Sequence, residues 1–228
     1  MKRIWAIGAL VLLIASGQAP PASAGDFARF ELQPLAGVVA SGSVPLTSRD
    51  GERVGTFAVD SSASAGASLT VYLNELDAVE GLWKRQFTRG TLLEAPAAPE
   101  PDEATVPASG ALSIDQLHCN FLHHYRLPDP RVRPYVTGGL GVTTYRGARG
   151  LWKDSASHFS FAIGGGVKYF PSRRFGIRGE ARWSPTLLSA SDSDFWCRVG
   201  GAGTACRVRL RAVLQHQLDL AGGFILRF

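Results

Sequence analysis

The sequence lacks a long apolar run beyond its first residues, has few cysteines, and carries only a weak excess of positive charge. A membrane-spanning helix needs about 20 predominantly apolar residues, and no uninterrupted run after the N-terminal segment approaches that length. The formal net charge of +5 over 228 residues is too small to indicate a nucleic-acid-binding surface. We therefore expect no helical membrane span and no nucleic-acid partner. If the chain enters a membrane, it does so with β-strands.

The N-terminal residues carry the three parts of a secretory signal peptide. Lys2 and Arg3 form a positive n-region, residues 4–15 form an apolar h-region, and Ala22-Ser23-Ala24 forms a cleavage site. The pattern predicts a signal peptide over residues 1–24, cleaved after Ala24, and a single mature domain over residues 25–228. The alternative, an N-terminal anchor helix, is disfavoured by the cleavage site and by the two prolines before it. No cysteine follows the h-region, so a lipid-anchored lipoprotein is not indicated.

The chain has three cysteines, and two of them lie close together in the glycine-rich stretch "DFWCRVGGAGTACRV". Because an exported protein meets oxidising conditions, we expect a loop disulfide between Cys197 and Cys206. Two free thiols are one alternative. Half of a metal site is another, although no histidine or second cysteine pair flanks the two residues. Cys119 is left over, and we interpret it as a small buried apolar residue.

The last part of the chain alternates strictly between apolar and polar residues. From Arg207 to Phe228 the even positions are almost all apolar and the odd positions are mostly polar or charged. Because strand side chains alternate with a period of two, this pattern predicts one long strand with two different faces. Typical strands of soluble proteins have about 3–10 residues, and this stretch is roughly twice as long.

Similar alternation recurs along the chain and predicts eight strand segments in all. The parity of one of them, 81–93, is ambiguous. The others are clear, and the eight segments are 28–40, 62–73, 81–93, 111–125, 132–145, 158–170, 174–184 and 207–228.

The connections between the segments alternate between short and long. Short connections are expected at 74–80, 126–131 and 171–174, and long ones at 41–61, 94–109, 146–157 and 185–206. The second long connection contains "EAPAAPEPDEATVPAS", whose composition indicates an extended or disordered segment. It is compatible with a domain linker, but strand patterning resumes on both sides, which favours a loop.

These features favour an all-β fold, an eight-stranded antiparallel up-and-down transmembrane β-barrel. The alternative is a secreted sandwich or a soluble barrel, in which the apolar face would pack against another apolar sheet. A closed barrel in lipid accounts for the long strands, the alternating connections and the location of all charged faces on one side. In it, apolar residues face lipid and polar residues face the lumen.

Eight strands leave a lumen that side chains fill, not a wide channel. The lumen-facing charges include both signs, so we expect them to pair. Asp219 and Glu31 are candidate partners for Arg178 and Arg182, because their strands neighbour one another. The predicted lumen network comprises Arg29, Glu31, Lys168, Arg178, Glu180, Arg182 and Asp219.

Three stretches, "RPYVTGGLGV", "FSFAIGGGVKYFPSRRFGIRGEARW" and "GGFILRF", resemble the bacterial outer-membrane β-barrel domain family of small OmpW-, OmpX- and OmpA-like barrels. The resemblance extends from about Phe27 to Phe228. It implies location in the outer membrane of a Gram-negative bacterium. We expect the barrel to be embedded in outer-membrane lipid as a monomer. The resemblance also implies transient contact with periplasmic chaperones and with the barrel assembly machinery, which reads a terminal aromatic signal, here Phe224, Leu226 and Phe228.

Few motifs indicate chemistry, and we expect no cofactor and no enzyme activity. "HFS" places His158 and Ser160 at the His-x-Ser spacing of a lipid A deacylase, but parity points both side chains into the lumen. In "HCNFLHHY", His118 and His124 are about 20 Å apart along a strand, too far for one metal ion. The glycines of "GGLG" and "GGGV" precede no helix and are not phosphate loops.

Three functions remain open. The first is a structural or interaction barrel whose outer loops, especially 185–206, contact ligands or envelope partners. The second is an OmpW-like conduit for small apolar molecules, against which the many lumen charges count. The third, a lipid A-modifying enzyme, is disfavoured for the reasons above.

Overall fold

The computed structural model of the protein describes residues 29–48, 53–94, 108–147, 155–188, 208–209 and 213–228. The expected signal peptide, the Cys197–Cys206 disulfide and the proline-rich stretch 95–107 lie outside these residues. Within them, none of the secondary structure is a helix with the length and apolar character needed to traverse a bilayer.

The described residues form thirteen β-strands in one sheet. They are β1 (Phe30–Ser41), β2 (Val44–Ser48), β3 (Arg53–Val59), β4 (Ser62–Tyr72), β5 (Asp77–Glu94), β6 (Ala108–His124), β7 (Val132–Gly147), β8 (Ser155–Tyr169), β9 (Phe175–Trp183), β10 (Thr186–Leu188), β11 (Val208–Arg209), β12 (Val213–Gln215) and β13 (Gln217–Arg227).

Several of these segments are successive parts of one barrel strand, so the barrel has eight strands. β1 continues into β2, β3 into β4, β9 into β10, and β12 into β13, and β11 pairs with β2 as β13 pairs with β1. Every neighbouring pair is antiparallel, and the pairing of β1 with β13, in which Glu31 lies opposite Arg227, closes the barrel. The closed, eight-stranded antiparallel fold predicted from the alternation is confirmed.

The short connections and the C-terminus lie at the same end of the barrel. Residues 73–76, 125–131 and 170–174 join strands at this end, where Phe30 and Phe228 exchange two backbone hydrogen bonds of 3.0 Å. Barrels of bacterial outer membranes have short periplasmic turns and longer extracellular loops. We therefore call this end the periplasmic end and the opposite end the extracellular end.

The first expected long loop, 41–61, is largely a β-hairpin, and the prediction of a loop there is wrong. β2 pairs with β3, with Val44 opposite Phe57, and both side chains are almost fully buried. The inward alternation therefore continues beyond the membrane-crossing part of the wall. Pro45 is accommodated in this hairpin opposite Thr56.

The strand that was ambiguous in sequence, β5, has its even positions facing the lumen. Glu80, Leu82 and Lys84 are buried, whereas Trp83 and Phe87 are exposed on the outer wall. The strand begins at Asp77, so the connection expected at 74–80 is shorter than predicted. The simple pattern is broken because Leu82 faces the lumen whereas Arg85 and Arg89 face outward. This explains why the parity of the strand is ambiguous in the sequence.

The two faces of the wall differ sharply. Large apolar side chains cover the outside, and Phe224 at 71 % exposure is the most exposed of them, while the inner face is mostly polar and buried. Cys119 lies on the outside between Leu117 and Phe121 and is an exposed free thiol. The expectation that it is buried is wrong: it faces the space that lipid occupies.

Glycines allow large side chains to fit inside this narrow wall. A Cβ atom at Gly166 would lie 2.6 Å from the Tyr135 hydroxyl, a separation that real Cβ atoms do not adopt. The missing side chain thus provides the space for the Tyr135 ring. By contrast, nothing lies within 4 Å of a Cβ placed at Gly81, which faces outward.

Candidate functional site: the lumen network

The lumen of the barrel is crossed by buried charged and hydrogen-bonded side chains, which we call the lumen network. Its members are Glu31, Gln33, Tyr72, Glu80, Lys84, Tyr135, Lys168, Arg178, Glu180, Arg182, Asp219 and Arg227. All are buried except Arg227, which is half-buried at the periplasmic end. Alternation alone places them there, since every second residue of each strand points inward.

Two arginines and two glutamates form the centre of the lumen network. Arg178 pairs with both Glu80 and Glu180. Arg182 Nε lies 2.8 Å from Glu180 Oε1, and Arg182 Nη2 lies 3.3 Å from Glu80 Oε1. Each guanidinium therefore contacts both carboxylates, an arrangement that suits the planar, multiply donating arginine head group.

Glu31 is the centre of a second group nearer the periplasmic end. Lys168 Nζ lies 2.6 Å from its carboxylate and Arg227 Nη2 lies 2.8 Å from it. Tyr72 Oη donates a hydrogen bond of 2.9 Å to the same carboxylate. Three donors from β4, β8 and β13 thus meet on one acid from β1.

Tyrosine and glutamine side chains join these two groups. Tyr135 Oη donates to Glu180 and accepts from Arg178 Nε, both at 2.6 Å. Arg178 Nη1 donates a 2.6 Å hydrogen bond to Gln33, whose amide donates at 3.1 Å to Glu31. Lys168 Nζ also lies 5.3 Å from the centre of the Tyr72 ring, within the range of a cation–π contact.

Further toward the extracellular end, neutral amides replace the charges. Lys84 pairs with Asp219 above the central group. Beyond that pair, Gln217 Nε2 donates at 2.9 Å to Gln86, and Gln116 Nε2 donates at 2.8 Å to Gln217. The cross-section is therefore filled at several successive levels.

The charges of the lumen network nearly balance. Its anions are Glu31, Glu80, Glu180 and Asp219, and its cations are Lys84, Lys168, Arg178, Arg182 and Arg227. Burial of an unpaired ion is strongly unfavourable, and only good pairing geometry with additional hydrogen bonds offsets the desolvation. The near balance explains how so many charges are buried together.

The structure places the residues predicted from sequence as follows. Glu31, Lys168, Arg178, Glu180, Arg182 and Asp219 are buried in the lumen. The side chain of Arg29, which was expected in the lumen, is exposed at the periplasmic end, just before β1 begins. Phe224, Leu226 and Phe228 lie on the outer face of the last strand.

The expected pairing of the arginines differs from the observed one. Asp219 contacts Lys84, and Glu31 contacts Lys168 and Arg227, so neither is the ion-pair partner of Arg178 or Arg182. The observed partner from another strand is Glu80 of β5. Side chains in a narrow barrel meet across the lumen as well as along adjacent strands, and sequence adjacency of strands does not identify such partners.

Six members of the lumen network were missed as site residues: Gln33, Tyr72, Glu80, Lys84, Tyr135 and Arg227. Tyr72 and Tyr135 are on the polar face in sequence, but a tyrosine at that position is also compatible with an interfacial aromatic. Glu80 and Lys84 were missed because the parity of β5 was ambiguous. The spacing of Trp83 and Phe87, which face outward together, was the signal that could have resolved it.

The histidines of the lumen form no metal cluster in the part of the chain that the structure describes. Ser160, which has the His-x-Ser spacing to His158, hydrogen-bonds His118 Nε2 at 2.8 Å, while the ring of His158 packs edge-on against Tyr145. Ser160 has no exposed surface. The pair is enclosed inside the wall and is not open to a lipid substrate.

Comparison with known proteins decides the family. The chain matches the family model of the outer membrane protein beta-barrel domain over residues 9–196. It belongs to this family. Membership implies location in the outer membrane of a Gram-negative bacterium. No curated protein matches the chain.

Among solved structures, this family member is similar to Neisserial surface protein A, with a TM-score of 0.53 and 13 % identity over 87 % of this chain and 97 % of that chain. AlkL gives a TM-score of 0.46 and 12 % identity over 93 % and 97 % of the two chains. The N-terminal barrel domain of Pseudomonas aeruginosa OprF gives a TM-score of 0.44 and 12 % identity, over 88 % of this chain and 100 % of that chain. The likeness to Neisserial surface protein A shows a shared fold and says nothing about activity.

Proposed function

We propose that the protein is a non-conducting outer-membrane barrel with a structural or interaction role, which holds its extracellular hairpin and loops at the cell surface. The observation that carries this proposal is the lumen network. Glu80, Arg178 and Glu180 are almost completely buried in the middle of the lumen and pair with one another. A path for solutes would have to break several of these contacts at once.

The energetics of buried ion pairs support a permanently filled lumen. Removal of one partner from a buried pair costs about 3–5 kcal/mol, because the remaining charge stays buried without compensation. The central group contains four such contacts between two arginines and two glutamates. Transient opening by thermal motion is therefore rare, and the fold is suited to anchoring and not to transport.

The extracellular end supplies the surface for interaction. β2 and β3 extend the first hairpin, and β5 and β6 pair as far as Leu92 opposite Ala108. This extended sheet is rigid, since its backbone hydrogen bonds are satisfied by the neighbouring strands. A role without catalysis is part of the proposal, in keeping with the enclosure of Ser160.

A conduit for small apolar molecules needs an apolar path through the lumen. The described part of the lumen is instead lined by the buried ions of the lumen network. Two cavities are lined by other residues, one of about 590 Å³ beside Arg89 and Arg146 and one of about 180 Å³ beside Tyr125 and Leu127 at the periplasmic end. The charged lining of the lumen makes the occluded barrel the better-supported function.

Solute flux tests the proposal directly. The full mature chain, reconstituted into phosphatidylcholine liposomes, is expected to leave the uptake of a small sugar and of an octane-soluble dye at the level of empty liposomes. A rate several times that of empty liposomes for either solute would overturn the proposal. The triple variant Glu80→Ala, Arg178→Ala, Glu180→Ala, refolded and shown to be barrel-shaped, serves as the positive control for an emptied lumen.

The proposed partners of biogenesis are periplasmic chaperones and the barrel assembly machinery, and the mature barrel is proposed to be a monomer in lipid. Phe228 is exposed at the end of the last strand, as is Phe175 at the start of β9. A Phe228→Ala substitution is expected to lower the amount of folded barrel in outer-membrane fractions several-fold, whereas Phe175→Ala, a matched lipid-facing aromatic, leaves it unchanged. Equal amounts for both variants would refute the assembly role of Phe228.

A further inference from the structure

The outer wall changes from apolar to polar along a row of residues that face away from the lumen. The last apolar row crosses β5 to β8 and consists of Trp83, Leu117, Val142 and Phe159, which lie side by side. The next row toward the extracellular end consists of Arg85, Asp115, Thr144 and Ser157, which are also side by side. The boundary of the lipid-facing surface on this side of the barrel therefore lies between the two rows.

On the outer face of β5 Arg85 follows Trp83, and on β6 Asp115 lies opposite Arg85. Charged residues therefore stand directly beyond the last apolar row on these two strands. We call this charged position on β5 and β6 the notch. A charged side chain within reach of hydrocarbon is unfavourable unless it is paired or reaches the interface.

Paired charges occupy the notch. Arg85 makes a bidentate contact with Asp115, with Nε–Oδ1 at 2.7 Å and Nη2–Oδ2 at 3.0 Å. Arg146 Nε lies 3.3 Å from the same carboxylate, whose side chain is only 10 % exposed. Two guanidinium groups thus share one carboxylate, and Arg146 remains 55 % exposed.

A groove of about 590 Å³ lies immediately above the notch toward the extracellular end. It is formed where β3 ends and β4 begins, and it is lined by Arg89, Arg146, Ser61, Ser113, Phe87 and Asp60 among others. Thr88 Oγ1 donates a 2.6 Å hydrogen bond to the Asp60 carbonyl and holds this break in the strand in place. The groove combines two exposed arginines and serine hydroxyls with one acid and a phenylalanine at its edge.

We infer that the notch and groove bind the phosphate-bearing sugar head group of an outer-leaflet glycolipid. Arg89 and Arg146 contact a phosphate, and Phe87 packs against the first part of an acyl chain. The serine hydroxyls donate to and accept from sugar hydroxyls, whereas the Asp60 carboxylate accepts from them. Arginine forks match phosphate oxygens and retain their charge at an interface. Asp115 holds Arg85 and Arg146 in position and leaves the site with a net positive charge.

The position on the wall identifies the occupant as a lipid. The groove opens sideways on the outer face, one row beyond Arg85 and Asp115 and therefore at the extracellular side of the boundary. A ligand that fills it with a polar head group and places an apolar tail against Phe87, 58 % exposed, arrives from the outer leaflet. A free sugar would leave the phenylalanine uncovered.

Native mass spectrometry of the full mature chain in detergent tests the inference. Bisphosphorylated lipid A and its dephosphorylated form are offered in competition. The wild-type barrel is expected to retain one bisphosphorylated lipid A and to prefer it to the dephosphorylated form. The double variant Arg89→Gln, Arg146→Gln is expected to bind it at least tenfold more weakly, since each arginine near a charged membrane surface contributes substantially to attraction.

A matched control separates this site from general attraction. Arg126 is an exposed arginine paired with a carboxylate, Glu75, at the opposite end of the barrel, so Arg126→Gln is expected to leave retention unchanged. Unchanged heat-modifiable migration confirms that each variant is folded. The inference is overturned if the double variant retains lipid A as the wild type does, if the dephosphorylated lipid binds equally well, or if the groove is covered by a second copy of the chain.

Discussion

At the scale of single residues, Glu80 is the side chain on which the lumen network depends most. It contacts both Arg178 and Arg182 and accepts a 3.1 Å hydrogen bond from Asn120. It has no exposed surface, so water cannot replace a lost partner. Its role was not predicted because the parity of its strand was ambiguous. A glutamate at an inward position is nevertheless the strongest indication of a lumen site in that strand.

The substitution Glu80→Gln keeps the size of the side chain and removes its charge. We expect it to lower the free energy of unfolding of the barrel by about 3–5 kcal/mol, because it leaves two buried arginines short of a counter-charge. Urea titration followed by heat-modifiable gel migration measures the change. Glu75→Gln, which breaks the exposed pair with Arg126, is the matched control and should change the unfolding free energy by no more than about 1 kcal/mol. Equal effects of the two substitutions would contradict the account.

A glycine substitution tests whether the space for Tyr135 matters. Gly166→Val places side-chain atoms against the Gly179 carbonyl oxygen and where the Tyr135 ring lies. The neighbouring β9 backbone must therefore shift, and Tyr135 must move away from Arg178 and Glu180. We expect a loss of about 1–3 kcal/mol in unfolding free energy, as for other overpacked sites. Gly81→Val, at an outward position with free space around it, should cause no loss, because valine suits a strand. If both variants unfold at the same urea concentration, the close approach of Tyr135 is not a constraint on the fold.

At the scale of strands, period-two alternation was sufficient for β13 and β9 but not for β2, β3 and β5. Residues 217–227 and 175–183 alternate without exception in burial, and their inward and outward faces follow directly from the sequence. β2 and β3 are short and contain proline and glycine, whose usual place is a loop, yet neighbouring strands extend far enough to pair with them. Which charges meet across the lumen could not be predicted, because the offset between strands determines it.

One strand provides a graded test of the lipid boundary. Leu140 of β7 is 60 % exposed in the apolar part of the wall, and Thr144 lies on the same face just beyond the boundary. Leu140→Arg is expected to lower the unfolding free energy in lipid vesicles by about 2–4 kcal/mol, and Thr144→Arg by no more than about 1 kcal/mol. Denaturant titration of the refolded barrel in vesicles measures both. Similar losses of unfolding free energy for the two substitutions would show that the lipid boundary does not lie between Leu140 and Thr144.

At the scale of the whole molecule, the barrel combines an apolar exterior with a lumen filled by balanced charges. The fold, the outward apolar surface and most of the charged lumen residues follow from alternation and from the lengths of the connections. The function does not, since a filled lumen and an open one can have the same alternation. A filled lumen is distinguished from an open one only by the contacts among its buried charges, which are Glu31, Glu80, Lys168, Arg178 and Glu180.

Single-channel recording in a planar lipid bilayer tests the filled lumen most directly. With the purified mature chain inserted at both low and high salt, the account predicts no steady conductance above that of the bare bilayer. Stepwise, long-lived conductance increases that scale with the number of inserted barrels would contradict it, because ions would then be passing through a lumen that the buried pairs are expected to close.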